Sequence, residues 1–193
     1  MQESEIALIR GVKSTVAQYG MTGVSTRKLS EVSGINNGLI YHYFASKEDL
    51  MLKAYCMENG ALYEAMLGYL REVRDIPFDF REKALLWFHR FWRELLRDRE
   101  RLIFCSSYYH SPYFKEAAGY HKRQIDDVVK QIGGYFPSRE ACELTLNTII
   151  SIVYHFAPRV ANGEVADTQE FEKQIFEICY GILVGQMEKR PAS

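Results

Sequence analysis

Apolar residues recur at intervals of three and four along almost the whole chain, and no stretch alternates apolar with polar over a useful length. Ile9, Val12, Val16 and Tyr19 define one face of a first helix, ended by Gly20 and Gly23. Ser25 caps a short second helix to about Ser33, and Gly34 stops it. Asn36 or Asn37 caps a third. Ser46 followed by Asp49 is a capping-box variant that opens a long fourth helix, to about residue 72. "DIPFDF" is a loop, and Asp79 with Glu82 starts a helix to about Arg97. Ser111-Pro112 reads as a cap with proline at the first helical position, followed by a long helix to about Gly133. "GGYFPS" breaks it, and Ser138 caps a helix expected to end before Pro158. "ANGEVAD" is a turn. Asp167 with Glu170 opens the last helix, to about Met187, leaving "EKRPAS" as a frayed end. The spacing predicts eight to ten helices, an all-α fold, and no internal repeat.

Residues 25–44 read as helix, tight turn, helix. Leu29, Val32, Ile35, Ile40 and Phe44 can bury together. With Ile40 and Phe44 inward, a rotation of about 100° per residue turns Gly38, Leu39, Tyr41 and His42 outward. That face makes little sense as plain solvated surface but suits a polyanion. Gly38 lets the backbone come close, Tyr41 and His42 can donate to phosphate, and Asn37 can reach a base edge from the helix start. Lys47 opens the fourth helix, where its charge and the free backbone N–H groups suit a phosphate. Arg27 and Lys28 begin the second helix at the groove rim. An ordinary helical hairpin with a few exposed aromatics is the competing reading, since acidic and basic side chains balance over residues 1–60.

Composition narrows the classes further. With 193 residues the chain can form one large domain, or a small one joined to a larger one. The 24 basic and 25 acidic side chains leave a net charge of −1, which excludes binding by bulk positive charge but not by a local patch. No apolar run is long enough to span a membrane, and "MQESEIALIR" lacks the basic start and apolar stretch of a signal peptide, so a cytoplasmic location is expected. Cys56, Cys105, Cys142 and Cys179 are far apart and form no CxxC motif; they read as small buried hydrophobes, with a thiol sensor as the lesser alternative. There is no Ser/His/Asp constellation, GxSxG, P-loop or GxGxxG, and Glu48-Asp49 and Asp126-Asp127 read as solvated faces. No catalytic residue and no enzyme activity are expected. His89, His110 and His121 lack the spacing of a metal site, so neither metal nor other cofactor is expected.

The segment "STRKLSEVSGINNGLIYHYFASKEDLMLKAY" resembles the N-terminal signature of the TetR family of bacterial transcription regulators. Gly23, Thr26-Arg27, Leu29, Gly34-Ile35, Gly38, Tyr41, Phe44, Lys47 and Leu50 carry the likeness, within roughly residues 6–55. It implies a three-helix helix-turn-helix DNA-binding region over 1–45, joined to a larger helical ligand-binding and dimerisation domain over 46–193. It also implies a ligand-responsive regulator, a repressor that leaves a palindromic operator when a small apolar or aromatic molecule binds. By position, Arg27 and Asn37 look like base readers, and Tyr41, His42 and Lys47 like phosphate anchors. Ser30 and Ser33 stand where alanines are usual, and Leu39 where a small hydroxyl residue is frequent, so Leu39 is free to touch a thymine methyl. A helical partner-binding protein with a decayed DNA-reading motif is the alternative, and intact Arg27, Tyr41 and Lys47 argue against it.

Residues 55–121 are rich in aromatics. Core packing accounts for most of them, yet polar-tipped rings are too many for a plain core. The resemblance implies a ligand cavity among the central helices, and Tyr55, Phe88, Trp92, Phe104, Tyr108, Tyr109 and Tyr113 are its candidate lining. In the last helix Phe171, Ile175, Ile178 and Ile182 form one stripe, and Phe176, Cys179 and Leu183 a second. The helix before it is apolar over much of its circumference, Ile149, Val153 and Phe156 included. A surface helix needs only one apolar face, so the surplus predicts a two-fold dimer through a four-helix bundle. Ile149, Val153, Phe171, Ile175, Ile178 and Ile182 are its candidate contacts; a single large core that takes both faces is the alternative. The expected partners are double-stranded operator DNA, a small-molecule effector, a second copy of the chain, and no membrane.

Overall fold

The computed structural model describes residues 3–187. Among them are nine α-helices and no strand: α1 (Glu3–Tyr19), α2 (Thr26–Ser33), α3 (Asn37–Tyr43), α4 (Lys47–Arg74), α5 (Phe80–Arg97), α6 (Arg99–Tyr109), α7 (Phe114–Ile132), α8 (Arg139–Ala161) and α9 (Gln169–Gln186). Short 3-10 turns lie at Met21–Gly23 and Gly133–Tyr135. The contacts divide the chain into two compact units. One holds the residues up to Glu64 together with Arg97–Ala118; the other holds Ala65–Leu96 and the residues from Gly119 on. The sequence-based boundary between residues 45 and 46 falls inside the first unit.

In the first unit, Leu8, Val12 and Val16 of α1 are buried, as are Leu29, Ile40, Phe44, Leu50, Met51 and Leu102. α1 and α2 approach so closely that a Cβ at Gly11 would stand 2.8 Å from that of Ser33. Polar bonds bind α1 to the start of α6. Lys13 Nζ donates to Asp98 at 2.7 Å, and Ser14 Oγ to Glu100 at 2.5 Å. Arg101 Nε donates to the buried carboxylate of Glu58 on α4 at 2.8 Å, and Lys13 lies 3.6 Å from that carboxylate. Four charges of alternating sign thus satisfy one another where a lone buried carboxylate would be costly. Burial works to raise the Asp98 acid, but the Lys13 bond and the Arg101 backbone N–H outweigh it and hold the carboxyl below its ordinary range.

In the second unit, the end of α4 is tied to α5. Trp87 Nε1 donates to the Met66 carbonyl at 3.1 Å, Lys83 Nζ to that of Arg74 at 2.7 Å, and Arg90 pairs with Glu72. α5 is bonded in turn to α9: the buried Glu172 carboxylate is shared by Arg93 (2.5 Å) and His89 Nδ1 (2.5 Å). Ile125, Val129, Phe136 and Cys142 form a core cluster, with Leu146, Ile150 and Leu183 packed against it.

Most predicted helix starts coincide with observed caps. Ser25 accepts the Lys28 N–H, Asp79 and Glu82 cap each other reciprocally, and Ser138 accepts the Ala141 N–H. Gly34 takes φ 70°, the left-handed turn that ends α2. Five expectations need correction. Tyr19 is not on the buried face of α1; its ring is exposed beneath the Lys28 ammonium. α6 is not among the helices the spacing predicts: Asp98 breaks the run of charged residues by accepting the Arg101 N–H. α7 starts at Phe114 rather than Pro112, because Ser111 is spent on the end of α6, its hydroxyl donating to the Tyr108 carbonyl. α8 runs through Pro158 to Ala161; the proline removes one helical bond near the end, while buried Ala157 and Val160 hold the turn. Thr168, not Asp167, caps α9, because Asp167 is engaged by Arg93. "EKRPAS" lies outside the described residues.

Candidate nucleic-acid interface

The turn between α2 and α3 is built from local hydrogen bonds. Ser33 Oγ accepts the Ile35 N–H, and Asn36 Oδ1 accepts the Gly38 N–H at 2.8 Å, so Asn36 rather than Asn37 is the cap. A Cβ at residue 38 would lie 3.3 Å from that Oδ1, tighter than ordinary contact. Glycine therefore keeps the cap unhindered as well as leaving the backbone open. Ile40 and Phe44 are fully buried, which fixes the rotation of α3. Asn37, Gly38, Leu39, Tyr41 and His42 are all exposed, together with Asn36 at the helix start. His42 packs edge-on against Tyr43, at 4.8 Å between centroids, and is steadied by it.

The basic candidates are more engaged than the sequence suggests. Arg27 is 87 % exposed but donates Nε to Glu31 at 2.9 Å, one turn along α2. Lys28 holds its ammonium 4.1 Å above the Tyr19 ring. Lys47, the first residue of α4, donates to the Val24 carbonyl at 3.4 Å, lies 3.7 Å from Glu48, and has the Tyr113 ring 5.8 Å away. Glu31 was legible from its i, i+4 spacing to Arg27. Tyr19 and Tyr113 were not, since no local spacing links them to their lysines.

The aromatic candidates fall into two groups. In the first unit Tyr55 and Tyr108 stack at 4.4 Å, Phe104 and Tyr113 adjoin Tyr108, and Tyr109 meets Phe114 at 4.7 Å. Burial pushes the Tyr55 and Tyr108 hydroxyls well above the ordinary tyrosine range, so both stay neutral. In the second unit Phe88 and Trp92 stack at 5.8 Å and Phe88 meets Phe176 at 5.6 Å. Trp92 is buried, and its indole N–H has no hydrogen-bond partner among the described residues. A surface depression of about 460 Å³ lies away from all these rings, between α1 and α2, lined by Ile6, Ala7, Arg10, Ser14, Val32 and Ser33.

Of the interface candidates, Val153 and Ile175 must be corrected. Both are buried within the protomer's own core, because the helical stripe that carries them is the one facing inward. Ile149, Phe171 and Ile182 are half-buried, and Ile178 is 49 % exposed. Leu144, at 70 % exposed, and Val184 join it on the outer apolar face. No helix among the described residues is long and apolar enough to cross a membrane.

Residues 12–54 match the family model described as bacterial regulatory proteins, tetR family. The HTH-type transcriptional repressor AcnR of Corynebacterium glutamicum is 30 % identical over 74 residues, covering 34 % of this chain and 39 % of AcnR. The chain thus spans about two fifths of the length of that relative. Over nearly its full length the fold is similar to a TetR family transcription regulator from Marinobacter aquaeolei VT8, with TM-score 0.70 and 19 % identity over 97 % of this chain and 96 % of that one. It is also similar to the transcriptional regulator FadR from Bacillus subtilis, solved in complex with stearoyl-CoA, with TM-score 0.66 and 17 % identity over 90 % and 96 % of the two chains.

Proposed function

We propose that the chain, whose residues 12–54 match the tetR family model, is a TetR-type regulator: a ligand-responsive, homodimeric repressor of transcription acting in the cytoplasm, with no enzymatic role. One observation carries the DNA-binding part. The outward face of α3 is continuous and exposed from Asn37 to His42, while Ile40 and Phe44 lock the helix from behind. Asn37 and Arg27 read base edges, Tyr41, His42 and Lys47 hold phosphates, and Leu39 meets a thymine methyl. Arg27 must leave Glu31 to do so. A second copy joins through the outer faces of α8 and α9, and a two-fold dimer calls for an operator with two half-sites about one helical turn apart, roughly 34–36 Å. Selection from a random-sequence duplex pool is expected to enrich an inverted repeat; a pool that stays random refutes the reading.

The effector contacts Phe88 and Trp92. A buried indole N–H without a partner is uncommon and costly, so a ligand that supplies an acceptor gains a hydrogen bond the empty protein lacks. That supports an apolar or aromatic molecule carrying one oxygen or nitrogen acceptor. FadR of Bacillus subtilis, with its stearoyl-CoA, supports the broader point that this fold admits small molecules. α5, which carries both rings, is bonded to the end of α4, and α4 runs unbroken back to Lys47. The effector acts only if it binds the DNA-released state better than the DNA-bound one. A coupling of about 1–3 kcal/mol gives a 5- to 150-fold loss of operator affinity, and DNA weakens effector binding by the same factor.

A further inference from the structure

We propose that Tyr113 is a positioning residue for DNA binding, holding the Lys47 ammonium at the start of α4. The inference rests on Lys47 being a phosphate anchor, as proposed above. Only about a quarter of the Lys47 side chain is exposed (25 %), so its neighbours restrict where the ammonium can stand. Those neighbours are the Val24 carbonyl at 3.4 Å, the Glu48 carboxylate at 3.7 Å and the Tyr113 ring at 5.8 Å to its centroid. Glu48 is a competitor: a carboxylate that neutralises the ammonium must be given up when phosphate arrives. The ring acts differently. Its negative face attracts the cation without accepting an ordinary N–H bond, so the donors stay open for a phosphate oxygen.

The ring is itself fixed from several sides. Tyr113 lies in the turn between α6 and α7. Ser111 Oγ accepts its backbone N–H at 3.2 Å while donating to the Tyr108 carbonyl at 2.7 Å, and the Tyr113 carbonyl accepts the Glu116 N–H at 3.0 Å. The Tyr113 ring lies 30° from parallel with that of Tyr108, at 6.4 Å, and Tyr108 stacks on Tyr55 at 4.4 Å. Tyr55 is on α4, two turns beyond Lys47. The chain of contacts therefore closes on itself: α4 fixes Tyr55, Tyr55 fixes Tyr108, Tyr108 flanks Tyr113, and Tyr113 faces the lysine on α4. A lysine already restrained near its bound position loses less side-chain freedom on binding than a free one.

The test is a double-mutant cycle on binding to a mixed-sequence DNA duplex at low salt, because a phosphate contact does not depend on sequence. Lys47→Ala, Tyr113→Leu, Tyr113→Phe and the Lys47→Ala/Tyr113→Leu double variant are compared by fluorescence anisotropy, with thermal melts as the folding control. Tyr113→Leu is expected to weaken binding about two- to five-fold, Tyr113→Phe to bind like the unaltered protein, and Tyr113→Leu to add nothing once Lys47 is gone. If Lys47→Ala binds normally, the anchor reading of Lys47 falls and this inference with it. If Lys47→Ala weakens binding but Tyr113→Leu does not, or weakens it equally in both backgrounds, the positioning role is overturned and the anchor stands. Should Tyr113→Leu not fold, Tyr113→Met, equally ring-free, takes its place in the cycle.

Discussion

Tyr41 presents its phenol 61 % exposed one residue from Ile40, which is wholly buried. A hydroxyl in that place has no structural duty, so Tyr41→Phe is expected to weaken binding to every DNA sequence alike, by about 1 kcal/mol for one lost hydrogen bond. Asn37→Ala and Arg27→Ala are expected to act on sequence instead, each relaxing the selected consensus at particular positions by about 1–3 kcal/mol. A consensus unchanged by both substitutions would remove them as base readers. The cysteines make a separate prediction. Burial pushes the Cys179 thiol up to about 12 and raises those of Cys105 and Cys142, while Cys56 is only partly buried. Because the thiolate is the nucleophile, an alkylating reagent at neutral pH should label Cys56 first in the native protein, as read by peptide mass spectrometry. The positions of these residues were legible in the sequence wherever the helical period alone decides, as with Ile40 and Tyr41. The partners of Lys28 and Lys47 were not, because Tyr19 and Tyr113 reach them through the fold.

Helix starts show the same division. Ser25, Asn36, Asp79 and Ser138 cap through atoms no more than three residues away, so sequence reveals them. The start of α6 at Asp98 sits inside "RELLRDRERL", which reads as one charged helix, and part of what holds that carboxylate comes from Lys13, 85 residues earlier. Asp167 reads as a cap from the sequence alone because its tie to Arg93 is equally remote. The α1–α6 tie has a pH consequence. The Asp98 acid is weakened in the unfolded chain relative to the folded one, so its contribution is complete above the unfolded value, about pH 4, and is lost as pH falls through the lower folded value. Asp98→Asn keeps a capping oxygen but not the charge, and is expected to flatten the acid limb of the melting curve while leaving the slope between pH 5 and 8 unchanged. Where α1 meets α2, Gly11→Ala places a methyl 2.8 Å from Ser33 Cβ and is expected to cost about 1–3 kcal/mol of stability, visible as a lower midpoint in urea.

For the whole molecule, the sequence revealed a surplus of apolar surface on α8 and α9 but not its direction. Spacing defines stripes; only packing shows that Val153 and Ile175 turn inward while Leu144, Ile178 and Val184 turn outward. Ile178→Asp should therefore leave a folded protomer yet abolish the dimer, and light scattering of that variant should read the mass of one chain, 22.4 kDa. The unaltered protein behaving as a monomer at micromolar concentration would refute the two-fold assembly itself. A regulator in a cell meets wrong DNA far more often than its own site, and the Arg27–Glu31 pair bears on that search. If Arg27 reads a base as proposed above, Glu31 offers it a partner whenever the base beneath it is wrong, and its own charge repels the backbone. Each mistaken stop would thereby be shortened, and only a base able to displace the carboxylate would prolong the stay. Glu31→Gln should thus lengthen dwell times on arbitrary DNA more than on the selected site, so that the protein grips harder overall and finds its target more slowly.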